Sequence, residues 1–411
     1  MDFPTVINMI QKLKKVTPVL ILLLMIGCSK LDRTLTIYSD SVETAELVNL
    51  FNQTQSLYKA SYIYRPEESN LSINPGEHDI VISHSLQGYL DKMLSLDDLR
   101  DTDFVNSIYP EILKMGISGT SLKTIPLSLD IPVVLTKDLQ NDKKFISWEE
   151  FGIESKSFNV LKEERLTQSG FSPLWSETFL SAFYRSRIPS ISKELDGNEF
   201  RGFAEAAQEL SEWIQDINGS LELDKDFSEK YRYIPDYRLI LTGRTGYSVM
   251  PLSQWSLLPD SVSRELKIQP LVINEGLQNI ETLAVGIPQT SKNPEGAKAF
   301  LTWLLEEKTW EDYLLLTGRN RDEGFAFLGG ISSSESLNAG LLLEAYPWTE
   351  PLIPRKGEFA KQSVLPPQWR LLWNDLLLPL VKESIAHPSI EKDMSNEYRK
   401  WLLLHPDPWD S

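Results

Sequence analysis

Short apolar runs alternate with amphipathic stretches along the first third of the chain. Leu35–Ser39, Ala60–Tyr64 and Asp79–Ser83 are rich in Ile, Val and Tyr, and this composition predicts three strands. Between the first two runs, apolar residues recur at three-residue spacing and predict a helix, at Val42, Ala45, Val48 and Phe51. Strands that alternate with helices indicate a parallel α/β sheet, in which ligands bind near the carboxyl ends of the strands.

The α/β pattern continues through the rest of the chain. An apolar stripe from Phe203 to Ile217 predicts an amphipathic helix that ends at Asn218-Gly219. The sequence Asn293-Pro294-Glu295 predicts a helix start, with a cap, a proline at the first position and an acid in the first turn. Further strands are predicted at Ile125–Leu129, Ile131–Thr136, Tyr247–Met250, Leu271–Ile273 and Leu283–Ile287. Further helices are predicted at Leu86–Met93, the second half of Phe171–Tyr184, Trp369–Leu380 and Ser389–Leu403.

The N-terminal segment has the pattern of an export signal. A lysine cluster precedes the apolar run Val16–Ile26, which as a helix would span about 16 Å and so could not cross a ~30 Å hydrocarbon core. Cys28 follows at once, and Leu24–Cys28 resembles a bacterial lipobox, with Met25 where a leucine is usual. We therefore predict a lipoprotein signal peptide over residues 1–27 and a lipidated terminus and tether over 28–34. The alternative for Cys28 is a buried free cysteine.

Composition narrows the possible functions. The 411 residues include 58 acidic and 41 basic side chains, for a net charge of −17, and this balance disfavours nucleic-acid binding. A single cysteine excludes an intrachain disulfide and cysteine-based metal sites, and the four histidines lack ligand spacing. The chain also lacks the G-x-S-x-G, H-E-x-x-H, Walker A and G-x-G-x-x-G motifs. We predict no cofactor, no metal and no catalytic residue, which favours binding over turnover.

A series of weak motifs in a fixed order carries a family resemblance. They are LTIYSD with the helix ending LVNLFN, HDIVISHSLQGYLDKMLSLDDL, IPLSLDIPVVLTKDL, ISWEEF, GYSVMPLSQW and LAVGIPQTSKNPEGAKAFLTWLL. In this order the chain resembles the extracellular solute-binding proteins of ABC importers, especially the sugar-binding group that includes maltose-binding protein. The departures from the family pattern lie mostly in the binding loops.

The resemblance implies an α/β, two-lobed periplasmic-binding-protein type II fold with a hinge and an interlobe cleft. Lobe one would comprise residues 35–130 plus 286–330, and lobe two residues 136–282 plus 335–404. The chain would cross between the lobes near Asp130–Thr136 and Thr282–Gly286. Ligand that contacts both lobes would stabilise the closed state relative to the open state.

The resemblance also implies a ligand site. Indole rings cover the apolar faces of a pyranose, and carboxylates pair with its hydroxyl groups. For Asp40 the alternative is a helix N-cap with Glu43 three residues on, for His84 a loop residue near a strand end, and for each tryptophan ordinary packing. The predicted ligand contacts are Asp40, His84, Asp130, Trp175, Trp255 and Trp369.

The resulting functional hypothesis is a lipid-anchored substrate-binding subunit of an ABC importer. It would be a monomer in the cell envelope that binds a small solute, most simply a carbohydrate, and presents it to permease subunits. Two alternatives from other classes remain open: a secreted carbohydrate-active enzyme, and an anchored adhesin or scaffold on the same fold.

Overall fold

The computed structural model describes most of the chain after the N-terminal segment, namely residues 34–66, 74–139, 143–318, 324–388 and 394–409. The predicted signal peptide, Cys28 and the tether up to residue 33 lie outside the described residues. Within the described ranges, no helix is both long and apolar enough to cross a membrane.

Each strand that the hydrophobic pattern predicts overlaps an observed strand, whereas several of the observed strands and helices were not predicted. The strands are β1 Thr34–Ser39, β2 Lys59–Tyr64, β3 Ile80–Ser83, β4 Ile117–Ser118, β5 Ser121–Leu122, β6 Thr124–Asp130, β7 Pro132–Thr136, β8 Ile146–Ser147, β9 Val160–Lys162, β10 Arg165–Gln168, β11 Tyr247–Pro251, β12 Lys267–Ile273, β13 Gly276–Leu277, β14 Glu281–Gly286 and β15 Ile331–Ser332. The α-helices are Thr44–Thr54, Asp103–Ser107, Pro110–Leu113, Trp148–Phe158, Glu177–Arg187, Ile191–Gly197, Arg201–Asn218, Leu221–Tyr231, Asp236–Leu241, Leu252–Ser256, Asp260–Ser263, Pro294–Leu304, Glu307–Thr317, Glu335–Leu337, Leu343–Ala345, Trp369–Leu372, Leu378–Ala386 and Met394–Leu404.

Tighter and wider turns complete the helical structure. The predicted helix at Leu86–Met93 is a 3₁₀ helix, Leu86–Lys92. Two π segments, Asn338–Leu342 and Trp373–Leu377, join the α-helical pieces on either side of them. The other 3₁₀ turns are Pro75–Glu77, Asp97–Leu99, Lys114–Gly116, Pro173–Trp175 and Pro347–Thr349.

Two helix starts show how local sequence fixes these elements. The Asn293 side chain accepts a hydrogen bond from the Gly296 N–H at 3.1 Å, and Pro294 occupies the first helical position. Ser147 and Glu150 form a reciprocal capping box at the start of Trp148–Phe158. All three side chains satisfy backbone N–H groups that have no partner inside the helix.

The first sheet has six strands in the order β15-β6-β14-β3-β1-β2. β1 pairs in parallel with both β2 and β3, as the alternation of strand and helix predicts. β14 is antiparallel to β3 and to β6, so the sheet as a whole is mixed. The antiparallel strand arises because β14 comes back from the second sheet instead of following a crossover helix.

The second sheet contains β11, β7, β12 and β13 in that order, with β8 beside β12. The chain enters it from β6 to β7 through the fully buried Ile131 and leaves it between β13 and β14. The two crossings lie side by side because Asp130 pairs with Glu281 in the first sheet. The second crossing, at residues 278–280, lies a few residues before the predicted 282–286.

Two large hydrophobic cores accompany the two sheets. The first holds Ile37 and Val285 and continues past the crossings to Val133, and the second holds Val134 and the helix stripe of Arg201–Asn218. Successive residues of β7 face different cores because side chains alternate along a strand.

The C-terminal segment first packs on the first core. The Tyr109 hydroxyl donates to the Pro354 carbonyl at 2.9 Å, and the Phe359 ring lies 5.0 Å from the Tyr109 ring. Leu365 and Trp369 then belong to the second core. The chain therefore changes core between residues 359 and 365, later than residue 335, where the second lobe is predicted to resume.

Candidate functional site

The carboxyl ends of two parallel strands bring the first two predicted site residues together. β1 ends at Ser39 and β3 at Ser83, and Ser39 pairs with Ile82 across the ladder. The next residue after each strand, Asp40 and His84, therefore projects from the same edge of the six-stranded sheet.

The Asp40 carboxylate is buried and fully engaged with the β3 end. It accepts hydrogen bonds from the Ser83 hydroxyl at 2.7 Å and from the His84 backbone N–H at 3.0 Å. The His84 imidazole lies with its Nδ1 3.0 Å from Asp40 Oδ1. The helix after β1 begins only at Thr44, and the preceding Glu43 makes no side-chain cap. The helix-cap alternative for Asp40 is therefore wrong, because its oxygens bind the neighbouring strand end.

This contact favours the charged form of both side chains. Burial by itself would raise the pKa of Asp40, but His84 and the Ser83 hydroxyl outweigh it and hold that pKa below its ordinary value. Burial likewise opposes a charge on His84, yet the Asp40 carboxylate raises the His84 pKa above its ordinary value. Opposite charges in contact favour both charged forms, so the pair is an ion pair at mildly acidic pH.

Residues of the second core complete the cleft from the other side. Arg370 Nη1 lies 3.4 Å from His84 Nδ1, and Arg370 Nε lies 3.2 Å from Glu281 Oε1 at the start of β14. Trp369, the neighbour of Arg370, lines the same cavity and packs on Trp373 with ring centroids 5.3 Å apart.

Asp130 lies at the end of β6, beside the first crossing. Its carboxyl accepts hydrogen bonds from the Ser253 hydroxyl at 2.5 Å and from the Ile131 N–H at 2.9 Å. Burial raises the pKa of Asp130 to about 7, against the opposing effect of the Ser253 bond, and the nearby Glu281 adds to the rise. Asp130 is therefore a carboxyl group that can be protonated near neutral pH.

The cleft is nearly closed. Its cavity measures about 30 Å³, room for no more than a few water molecules. Gln87 donates to the Ser363 carbonyl at 3.3 Å across the cleft, and a methyl group on Gly88 would lie 2.5 Å from the Pro367 nitrogen. A sugar would therefore enter only after these two loops separate.

Trp175 and Trp255 lie outside the described lining of this cavity. The Trp175 ring stacks on Phe227 at 5.3 Å between centroids. Trp255 is buried and borders a separate groove of about 1080 Å³, together with Phe325 and Trp348. That groove is larger than the cleft cavity, but its described lining does not include His84 or Trp369, which line the cleft cavity. Asp40 and Asp130 are not among the described lining residues of either one. The contacts predicted for both tryptophans stay predictions.

Sequence reasoning did not identify several cleft residues. Arg370 follows Trp369 directly, and Glu281 opens a strand. Gln87 and Arg185 also line the cavity, Arg185 from the helix Glu177–Arg187. The available signal was the position of Arg185 among buried aromatic residues, because a charged side chain is seldom buried without a reason.

Comparison with known proteins places the fold. No protein-family model and no curated protein sequence matches the chain. Among solved structures, the sugar-binding protein MalE from Xanthomonas citri superposes with a TM-score of 0.61 at 12% identity, covering 90% of this chain and 99% of MalE. An ABC transporter solute-binding protein from Thermotoga lettingae, bound with α-D-tagatose, gives a TM-score of 0.52 at 12% identity and covers 90% of this chain and 97% of its own. The chain has the fold of the sugar-binding solute-binding proteins.

The solute-binding fold also occurs in an enzyme. Thiaminase I from Clostridium botulinum, solved with thiamin, matches with a TM-score of 0.57 at 10% identity, covering 89% of this chain and all of its own, 100%. The predicted type II fold is thus confirmed, and the fold itself accommodates both binding and catalysis.

Proposed function

We propose that this protein is a substrate-binding subunit that reversibly binds a carbohydrate in the cleft between its two cores. The observation that supports it is the meeting of Asp40 and His84, from the first sheet, with Trp369 and Arg370, from the second core. An aromatic face surrounded by hydrogen-bonding polar groups matches the surface of a pyranose. In this proposal Asp130 and Glu281 are further acceptors for hydroxyl groups.

Motion between two lobes is part of the proposal. The first lobe would be built on the six-stranded sheet, and the second on the second sheet and its helices. The adjacent crossings at Ile131 and at residues 278–280 would act as the hinge, with the return of the chain between residues 359 and 365 as a third connection. A short, paired hinge allows the lobes to separate and admit a sugar.

Export and anchoring complete the proposed cellular role. The signal-like segment and Cys28 support a lipoprotein in the cell envelope, held at the membrane by acyl chains. The sugar would pass from the cleft to permease subunits of an ABC importer, and the protein would work as a monomer. The fold likeness to sugar-binding proteins supports a carbohydrate ligand, and a product assay separates this assignment from the enzyme alternative.

Calorimetry, small-angle scattering and a product assay on one sample test the proposal. A panel of mono- and disaccharides should include one that binds, reduces the radius of gyration and is recovered intact. Consumption of that sugar with release of a product would favour the enzyme instead. A panel without any binding and without compaction would contradict the carbohydrate-binding proposal.

A further inference from the structure

A buried arginine in the cleft forms no ion pair with a described carboxylate, although the Glu281 carboxylate, which lines the same cavity, favours its charged form. Arg185 is 2% exposed and lines the cavity from the second core. Its Nη1 donates to the Ile280 carbonyl at 2.5 Å, whereas its Nε has no hydrogen-bond partner among the described residues. A buried donor without a partner is costly, and a buried charge without a counter-ion is more so.

The other charged groups of the cleft are already matched. Asp40 pairs with His84, and Glu281 pairs with Arg370. Asp130 is bound by the Ser253 hydroxyl and can be protonated near neutral pH. Of the charged groups that border the cavity, Arg185 is the one whose positive charge has no described carboxylate within ion-pair distance.

Packing does not account for the guanidinium. Helix Glu177–Arg187 buries Phe179, Leu180, Phe183 and Tyr184 on the same segment. An apolar side chain would fill this position without desolvating a charge. The contact with the Ile280 carbonyl uses Nη1 and leaves the edge that carries Nε available. A guanidinium edge of this kind binds a carboxylate through two parallel hydrogen bonds.

On the opposite wall, Gln87 offers the complementary group. Its amide nitrogen donates to the Ser363 carbonyl, and its Oε1 is buried without a partner among the described residues. An acceptor there suits a sugar hydroxyl, while the donor edge of Arg185 suits an anion.

We propose that the carbohydrate bound in this cleft is an acidic sugar, whose carboxylate binds the Nε edge of Arg185 while a hydroxyl donates to Gln87. This inference rests on the proposed function and names its substrate class. A uronic acid, alone or within an oligosaccharide, has this combination of groups.

Selectivity of the unmodified protein is the first test. Calorimetry would compare D-glucuronic acid, D-galacturonic acid and digalacturonic acid with glucose, galactose and digalactose. At least one acid should bind at least tenfold more tightly than its neutral counterpart. Equal or tighter binding of the neutral sugars would overturn the inference while leaving carbohydrate binding intact. Glucose 6-phosphate tests whether the site prefers a phosphate to a carboxylate. If it binds more tightly than every uronic acid, the carboxylate assignment is overturned.

Substitution of the arginine is the second test. Arg185→Gln should weaken binding of the preferred acid at least tenfold and remove the preference over the neutral sugar, and Arg185→Lys should lose less. Arg187→Gln is the matched control, because Arg187 lies on the same helix but pairs with Glu209 outside the cleft. An unchanged acid preference in a folded Arg185→Gln or Arg185→Lys variant would overturn the role of Arg185.

Discussion

At the scale of single residues, the cleft depends on side chains whose charges oppose burial. Asp40 and His84 stabilise each other because each provides a counter-charge that compensates for the hydration lost on burial. Replacing one member of a buried pair leaves the other uncompensated, and this typically costs about 3–5 kcal/mol.

His84→Gln should lower the free energy of unfolding most between about pH 4 and 6.5. The raised His84 pKa contributes stability that is complete below the ordinary histidine value near 6.5 and is lost as the pH rises through the folded-state pKa. The lowered Asp40 pKa contributes stability above its ordinary value near 4, lost as the pH falls through the folded-state pKa. Urea unfolding at several pH values measures the difference from wild type.

His78→Gln provides a control of opposite sign. Burial lowers the pKa of His78, despite the carboxylates of Glu77 and Asp79, so its neutral form is favoured in the folded protein. Its contribution to stability therefore grows as the pH rises through about 6.5. The same pH dependence for both variants would contradict the ion-pair assignment of His84.

Trp369→Ala should weaken binding of the cognate sugar about fivefold or more. Trp369 lines the cleft cavity. A tryptophan ring stacked on a sugar contributes roughly 1–3 kcal/mol to the binding free energy, by analogy with nucleic-acid bases stacked on aromatic side chains. Calorimetry on the folded variant measures the change. Trp255→Ala and Trp175→Ala test the remaining predicted contacts in parallel. A larger loss in either of these than in Trp369→Ala would move the stacking platform to that tryptophan.

At the scale of elements, the two crossings between the sheets lie beside the acidic residues Asp130 and Glu281. Asp130 ends β6 and pairs with Glu281, which begins β14. The loops after β3 and before Trp369 close over the cavity from opposite sides. A change at these positions should therefore alter the balance between open and closed forms as well as local stability.

Asp130→Asn should reduce the loss of stability as the pH rises from about 4 to 7. A carboxyl group whose folded-state pKa is raised to about 7 holds its proton in the folded protein and loses it in the unfolded chain, so stability falls across this interval. The amide stays neutral and removes this part of the pH dependence. Denaturant unfolding between pH 4 and 8 provides the measurement.

Asp224→Asn is the matched control for this titration. Asp224 lies away from the crossings and its pKa is raised by burial to about 6, against the Ser172 and Asn218 hydrogen bonds. Its substitution should flatten the profile only up to about pH 6. If the free energy of unfolding of Asp130→Asn falls between pH 6 and 7 as steeply as that of the wild type, the raised pKa assigned to Asp130 is contradicted.

Gly88→Ala should shift the protein toward the open form. The added methyl group would lie 2.5 Å from the Pro367 nitrogen and 2.6 Å from its Cα, closer than real contacts allow, so the two loops must separate. We expect a larger radius of gyration and weaker sugar binding. Gly340→Ala, with nothing within 4 Å of its added methyl, is the control. Identical scattering curves for Gly88→Ala and wild type would show that closure does not depend on this approach.

At the scale of the whole molecule, the proposal requires a soluble body and a lipid anchor. Cys28→Ser should abolish anchoring, because the serine cannot be acylated in place of the cysteine. Phase partitioning and mass measurement of cell extracts follow the change. A serine variant that partitions with membranes as firmly as wild type and has the same processed mass would rule out the lipobox assignment.

The sequence by itself determined the principal strands of both sheets, several helices and the fold class. Apolar composition predicted β1 and β3, and periodic apolar positions predicted the helix Arg201–Asn218, because burial of one face imposes that period on a helix. The family resemblance also named Asp40 and His84 as ligand contacts, and the structure places them side by side at the ends of two parallel strands.

Only the tertiary structure decided how the cleft is completed. Arg185, Glu281 and Arg370 are far apart in the chain and meet because two separately built cores pack against each other at the crossings. The tertiary structure also placed Trp255 beside a different groove. In the same way, the Asp40 carboxylate accepts a hydrogen bond from Ser83 at the end of β3 and does not cap a helix. Local patterns specify which face of an element is buried, whereas contacts between two cores depend on their relative placement, which no local period encodes.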